Sequence, residues 1–257
     1  MRSIHDDPSL KSLARDLGVP EPQLRDFRIA FFNRGLDEEA ALALLPEELR
    51  AAVGERLALR FLEPERRVDS EIDGASKLIF RTAAGRRIET VILRTGTGRC
   101  TICVSSQVGC AAGCRFCATG TMGLVSQLTR DEILDQVIQV RRIVAAEGRD
   151  LRNVVFMGMG EPLHNAEAVA SAGEGRVAPL GLNFSPAKVL VSTGGVPTPM
   201  RDFAARFPRV NLALSLHAAL PEVRTRIVPT AERTSLPDLR TVLVELSEAG
   251  RRTMIEY

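Results

Sequence analysis

Between residues 6 and 63 apolar side chains recur three and four apart, as in Leu13 and Leu17, Ile29 and Phe32, and Leu42 and Leu45, with Pro20, Pro22 and Pro46 interrupting the pattern. Such spacing predicts short amphipathic helices with turns at the prolines, hence a small helical domain over residues 1–63. From about residue 68 to residue 94 the period changes: Lys77-Leu-Ile-Phe-Arg81 and Ile88-Glu-Thr-Val-Ile-Leu93 are β-rich runs separated by Ala84-Gly85-Arg86. That arrangement predicts a β-hairpin, within a linking region 64–98, bridging the two halves of the chain.

After Gly98 short apolar runs alternate with helix-length segments. The runs cover 102–105, 153–157, 189–192, 210–215 and 253–257, and the segments between them 129–146, 165–172, 197–207 and 236–249. The first of these segments carries the clearest helix signal. Thr129 and Glu132 have the spacing of a capping box, and Ile133, Leu134, Val137, Ile138, Arg141 and Val144 share one mostly apolar face. The second is the weakest, because Ser171-Ala-Gly-Glu-Gly-Arg-Val177 is poor in helix formers. Strand and helix in alternation over 99–257 predict an α/β fold with a parallel sheet covered by helices. In a (β/α) barrel the C-terminal strand ends converge on one mouth. Here Cys110 follows the first run, Gly158-Met-Gly-Glu-Pro162 ends the second, Ser192-Thr-Gly-Gly195 the third and Ser215-Leu-His217 the fourth.

With 257 residues, 45% apolar and 26% charged, the chain has material for a substantial core. It lacks any apolar run of about 18 residues and starts on a polar, charged segment, so no membrane span or secretory leader is expected and a cytoplasmic location is. The formal charge of +2 does not announce a nucleic-acid partner. All but three of the 34 basic residues are arginine, which suits phosphate and base contacts, but a G+C-rich genome gives the same bias. All five cysteines lie between Cys100 and Cys117, a clustering that points to a metal site in a reducing compartment rather than to disulfides.

Cys110-Ala-Ala-Gly-Cys114-Arg-Phe-Cys117 is a C-x3-C-x2-C spacing in a loop with Gly109 and Gly113. Four thiolates normally close a four-iron cube; three leave one iron open, as a reactive centre requires. The competing arrangement sets Cys100 and Cys103 with Cys114 and Cys117 around structural zinc. Against it, Thr101 and Ile102 are β-branched and suit a strand rather than a zinc knuckle, and Cys110 is left without a role.

The run from Cys103 through Cys110, Cys114 and Cys117 to Ala118-Thr-Gly120, then Phe156-Met-Gly-Met-Gly-Glu-Pro162, then Ser215-Leu-His217, resembles the RlmN/Cfr family of radical S-adenosylmethionine RNA methyltransferases, from about Phe27 onward. The resemblance implies a partial (β/α) radical-SAM barrel, a [4Fe-4S] cluster on Cys110, Cys114 and Cys117, and S-adenosylmethionine held by Gly160, Glu161, Ser192, Ser215, Leu216 and His217. It further implies an RNA-binding role for the helical segment 1–63. Glu89 matches the family's proton acceptor, although the loop from it to Cys103 is one residue longer here. Cys103 is similar to the cysteine that releases a protein–RNA crosslink by attacking a methyl-carrying cysteine.

The implied substrates are adenosines of 23S rRNA and, in the RlmN branch, of tRNA, with C2 expected and C8 the position of the Cfr branch. The implied partners are an electron donor such as flavodoxin or ferredoxin and no membrane, with a monomer expected for the full-length protein. Two departures stand out: no cysteine follows Cys117 to carry the methyl group, and the family's last third, with a cofactor-binding asparagine, is missing. The expectation is a truncated chain, incomplete for methyl transfer. A radical enzyme with another substrate, and a fragment that only binds cluster and RNA, remain alternatives.

Overall fold

The computed structural model describes residues 1–173 and 184–257. A two-residue strand β1 (Arg2–Ser3) is followed by α1 (Asp7–Leu17), α2 (Glu21–Phe32), α3 (Glu38–Leu42) and α4 (Glu47–Arg56), then β2 (Leu57–Ala58), which pairs with β1. Next come β3 (Leu62–Asp69), β4 (Ser76–Thr82), β5 (Arg87–Arg94) and β6 (Arg99–Cys103), and then a short ribbon of β7 (Gln107–Cys110) and β8 (Gly123–Gln127). The rest alternates: α5 (Arg130–Ala146), β9 (Asp150–Phe156), α6 (Ala166–Gly173), β10 (Val189–Thr193), α7 (Pro197–Arg206), β11 (Asn211–Ser215), α8 (Pro221–Ile227), α9 (Leu236–Glu248) and β12 (Thr253–Glu256).

One eight-stranded sheet, in the order β12-β11-β10-β9-β6-β5-β4-β3, carries the fold. Neighbours from β6 to β12 pair in parallel, and those from β3 to β6 antiparallel. The sheet is open, so the α/β barrel is partial. The expected hairpin is β4–β5, turned at Gly85, but β3 widens it to three strands. Only Leu62 of β3 is buried, so that strand has no inside-outside alternation for a pattern to reveal. Prolines prove to start helices rather than to end them: Pro20 and Pro46 are the N-cap residues of α2 and α4, and Pro22 lies in the first turn of α2, where a missing N–H costs nothing. The weak stretch 171–177 falls largely outside the described residues; α6 is described as far as Gly173.

Helix α5 is buried on two sides. Its capping box forms as the spacing predicts. Ile133, Val137, Val140 and Val144 join the core beneath the sheet, while Ile138 joins the core of α1–α4. Its buried polar residues act as ties. Asp135 accepts the backbone N–H of Phe61 (2.9 Å) and of Leu62 (2.8 Å), and Gln139 donates to the Leu62 carbonyl (2.7 Å). Gln136 accepts from the Thr90 hydroxyl (2.7 Å) and the Ser105 N–H (2.9 Å) and donates to the Ser105 carbonyl (3.0 Å). Unmade bonds of this kind would leave buried backbone groups unsatisfied, at about 1–3 kcal/mol each.

His5 seals the junction between the helical segment and α5. Its ring packs 5.3 Å from Phe61 and 5.9 Å from Phe32, its carbonyl accepts from the Arg130 guanidinium (2.6 Å), and both ring nitrogens are buried without partners. Burial, and secondarily the Arg130 charge, lower its pKa to about 3 from 6.5. Between those values the unfolded chain binds the proton and the folded one does not, so the contribution of His5 falls as the pH drops from 6.5 toward 3. His5→Phe should remove up to about 1.4 kcal/mol per pH unit of acid sensitivity in that window. Urea unfolding of both chains at pH 7 and pH ~4.5 reads the difference; equal pH slopes would refute the assignment.

Candidate active site

Parallel register gathers the C-terminal strand ends at one edge. Ile102, Val154, Phe156, Val191, Leu212 and Leu214 face the core beneath the helices. Side chains alternate along a strand, so the opposite face of the sheet carries Cys103 on β6, Ser192 on β10, Ser215 on β11 and Glu256 on β12. Ser192 and Ser215 lie hydroxyl to hydroxyl at 3.1 Å, and the Ser215 hydroxyl donates to the Glu256 carboxylate at 2.8 Å. A row of polar groups thus crosses three adjacent strand ends. Glu256 was not singled out from the sequence, because one carboxylate in a strand-like run carries no signal until register pairs it with Ser215.

The three-cysteine loop leaves β7 and returns through a 3-10 turn, Ala118–Met122, into β8. Cys110 is buried; Cys114 and Cys117 are partly so. The loop winds tightly, with the Cys117 N–H on the Cys114 carbonyl (3.1 Å) and the Gly120 N–H on the Cys117 carbonyl (3.0 Å). A Cβ on Gly120 would lie 2.5 Å from the Cys114 carbonyl oxygen and 2.8 Å from its nitrogen, so only glycine fits there. From the other side, the segment after β11 clamps the loop. The Arg115 N–H donates to the Ile227 carbonyl (2.9 Å), and the Phe116 ring meets His217 edge-on at 4.5 Å. His217 sits at φ 59, the one non-glycine with positive φ among the described residues, and its N–H donates to the Glu256 carbonyl (3.0 Å). The Leu216 N–H shares that acceptor, also at 3.0 Å.

Glu161 closes the floor. It is buried, and its two oxygens accept the Leu163 N–H (3.0 Å) and the Gly194 N–H (2.8 Å), tying the end of β9 to the end of β10. Burial raises its pKa against these donors and the Thr193 hydroxyl. Gly160, at φ 105, makes a close approach that the sequence attributes to a ligand; in the structure a Cβ there would strike the Gln107 side chain at 2.6 Å. Gln107 in turn accepts the Glu161 N–H (2.8 Å) and donates to Gln127 (2.8 Å), joining floor to ribbon.

A family model described as the Radical SAM superfamily matches residues 104–231, which hold the cysteine loop and the ends of the three parallel strands β9, β10 and β11. A Rhodopirellula baltica protein described as a probable RNA methyltransferase is 47% identical over 249 residues, covering 96% of this chain and 64% of its own length. The dual-specificity RNA methyltransferase RlmN of Syntrophotalea carbinolica is 41% identical over 227 residues, covering 88% of this chain and 59% of its own. A crystal structure of a radical SAM methyltransferase from Sphaerobacter thermophilus matches with a TM-score of 0.89 at 39% identity, over 100% of this chain and 76% of that one. The chain belongs to the RlmN/Cfr family. It spans 64% and 59% of the two curated relatives named above.

The cofactors of this radical SAM family are a [4Fe-4S] cluster and S-adenosylmethionine, and the donor set fits the first. Burial, followed by the neighbouring cysteines and Glu161, pushes the Cys114 thiol up to about 11, and burial raises Cys110 as well. Thiols raised in this way need a cation to hold them as thiolates. Among the described residues no three His, Cys, Asp or Glu side chains converge on a single-ion site. A cube spreads its ligands, one thiolate to each iron corner, so wider spacing suits it. Structural zinc does not fit: Cys100 is buried with the core while Cys103, three residues on in the same strand, faces the opposite way.

Glu89 and Cys103 sit on the neighbouring strands β5 and β6. Both lie on the open face, through the pairing of Val91 with Cys103. Glu89 is half-exposed and paired with Lys77 at 3.4 Å. Burial pushes the Cys103 thiol up to about 11, against the backbone N–H of Met157. It is therefore protonated at neutral pH, and a nucleophilic role requires a base or a positive charge brought to it.

Two outcomes test this geometry. Gly120→Ala should weaken iron retention after anaerobic reconstitution by about tenfold, the effect of 1–3 kcal/mol of overpacking, with unchanged circular dichroism; full iron content would contradict the close-packed loop. Alkylation of Cys103 by iodoacetamide, followed by peptide mass spectrometry, should accelerate about tenfold per pH unit between pH ~8 and ~10. Levelling off near pH ~9 would show an ordinary thiol.

Proposed function

We propose that this chain is the cofactor-binding part of a radical S-adenosylmethionine RNA methyltransferase that modifies adenosine, at C2, in 23S rRNA and in tRNA. The observation that carries the proposal is the clamped three-thiol loop beside the Ser192–Ser215–Glu256 row at one mouth of the sheet. When bound, the cluster supplies the electron that opens the C–S bond of S-adenosylmethionine. A radical route answers the chemistry of the target, since the amidine carbon of adenine is not nucleophilic.

The chain's own residues take the following parts. Cys110, Cys114 and Cys117 hold the cluster through three corners. Ser192 and Ser215 offer hydroxyls to the polar groups of the nucleoside cofactor, with Glu256 accepting from Ser215 and so orienting the row. Leu216 and His217 shape the wall facing Phe116. Gly160 and Glu161 set the floor, the carboxylate through its bonds to Gly194 and Leu163. Glu89, at the half-exposed rim, accepts a proton from the substrate, and Cys103 resolves the crosslink. The helical segment 1–63 contributes RNA contacts, a flavodoxin or ferredoxin supplies electrons, and the full-length protein works as a cytoplasmic monomer. Among the described residues no helix is long and apolar enough to cross a membrane.

The test is anaerobic: reconstituted chain, S-adenosylmethionine and dithionite, with nucleoside mass spectrometry. 5′-Deoxyadenosine should form, and Cys114→Ala should abolish it. Zinc in place of iron, or iron without 5′-deoxyadenosine, would overturn the reading. With rRNA or tRNA added, no methyladenosine is expected from this chain, since no cysteine follows Cys117. Crosslinking to RNA, or its absence, separates an RNA substrate from another one.

A further inference from the structure

Arg224, on α8, is one of the largest fully buried side chains of the protein, 1% exposed. One of its nitrogens, Nη2, donates to the Gly194 carbonyl at 2.7 Å, whereas Nε and Nη1 are buried with no hydrogen-bond partner. None of the ion pairs among the described residues includes it. A buried guanidinium without a carboxylate is costly, and folds rarely keep one unless a negative charge completes it. Burial pushes its pKa down, and the neighbouring Cys114 works in the opposite direction.

The surrounding contacts set the end of α8 against the cysteine loop. Three residues after Arg224, the Ile227 carbonyl accepts the Arg115 N–H at 2.9 Å. Two residues further on, the Pro229 side chain lies 3.9 Å from the position of a Cβ on Gly113. Ile227 and Pro229 thus back Arg115 and Gly113, and Arg224 lies one helical turn before them. On the other side, the Gly194 peptide that receives Arg224 gives its N–H to Glu161 at 2.8 Å. The Glu161 carboxylate is engaged by backbone donors, so Arg224 meets its carbonyl relay and not its charge.

We propose that Arg224 is the counter-charge of the cluster: a positioning residue that touches no substrate, holds a fixed positive charge behind the Cys114 loop, and favours the reduced cube over the oxidised one. The inference rests on the cluster reading above. Three thiolates outweigh the positive charge of the cube, and taking up an electron adds one further negative charge. A cation fixed in a poorly solvated site lowers the energy of both states, and of the more negative one by more. Without the cluster, the same charge is a burden on the fold. A residue kept only to brace Gly194 would show neither signature.

Arg224→Lys and Arg224→Gln separate charge from bracing, because both side chains can donate to the Gly194 carbonyl and only lysine is charged. The readout is an anaerobic redox titration of the reconstituted chain followed by electron paramagnetic resonance. At the wild-type midpoint the ratio of reduced to oxidised cluster should fall at least tenfold in Arg224→Gln, which is about 59 mV for a one-electron couple, and stay within about threefold in Arg224→Lys. In the cluster-free chains, the urea midpoint of Arg224→Gln should equal or exceed that of wild type. Equal potentials for the Gln and Lys variants would overturn the proposal, and so would an Arg224→Gln chain that fails to fold without its cluster. Absence of any iron–sulfur signal from the wild-type chain would instead bring down the cluster reading itself.

Discussion

The buried carboxylate of Glu161 is the interaction on which the site depends. Two parallel strands whose ends carry chemistry must be held at a fixed offset beyond the last ladder bond, and no backbone pairing can do this once the strands end. Glu161 does it by accepting N–H groups from both sides, Leu163 on its own strand's exit and Gly194 on that of β10. The tie then propagates. The Gly194 carbonyl receives Arg224, Arg224 belongs to the helix whose last carbonyl holds Arg115, and the Glu161 N–H reaches Gln107 and through it the ribbon that frames the cysteine loop. The same carboxylate that the sequence singles out thus also holds together the strand ends around it.

Helix α5 plays the corresponding part for the scaffold. It must satisfy two cores at once, which leaves no solvated face for its middle turns, so its polar residues there are buried and bonded across to the sheet. Asp135 and Gln139 fix the entry to β3, and Gln136 fixes the exit of β6 just before the ribbon begins. The antiparallel strands and the parallel ones are thereby referred to a single rod. The position of Glu89 relative to Cys103 follows, since the Ser105 hydroxyl that donates to the Glu89 carbonyl belongs to the stretch Gln136 holds.

Much of this was legible in the sequence, for identifiable reasons. The parallel strands read well because their core residues are continuous apolar runs bounded by glycine, and α5 because its cap and periodicity coincide. The three thiols could be singled out because their spacing is local. What stayed hidden depends on register or on long-range approach. β3 buries a single residue, α8 is only seven residues long, Glu256 matters only once β12 lies beside β11, and the close approach of Gly160 to Gln107 spans more than fifty residues of chain. Arg224 is hidden for another reason. An arginine in a helix of mixed charge reads as solvated surface, and burial without a partner cannot be seen in one dimension.

The electrostatics of the mouth then follow from how it is assembled. Without metal, burial above all keeps Cys114 and Cys110 protonated, and the one thiol contact within the loop is the Ala112 N–H on the Cys110 sulfur at 3.4 Å. The loop keeps its shape through neutral contacts: the tight turn around Gly120, the Arg115–Ile227 bond and the Phe116–His217 edge contact. A site preformed by neutral contacts does not have to fold around its metal, and the work of ionising three thiols falls on the incoming cation and on whatever fixed charge already stands behind them. That division accounts for a strained residue, His217, and an incompletely bonded one, Arg224, lying in the same short stretch after β11. Both are unfavourable in the fold by itself; His217 meets Phe116 of the cysteine loop, and Arg224 belongs to the helix whose last carbonyl holds Arg115.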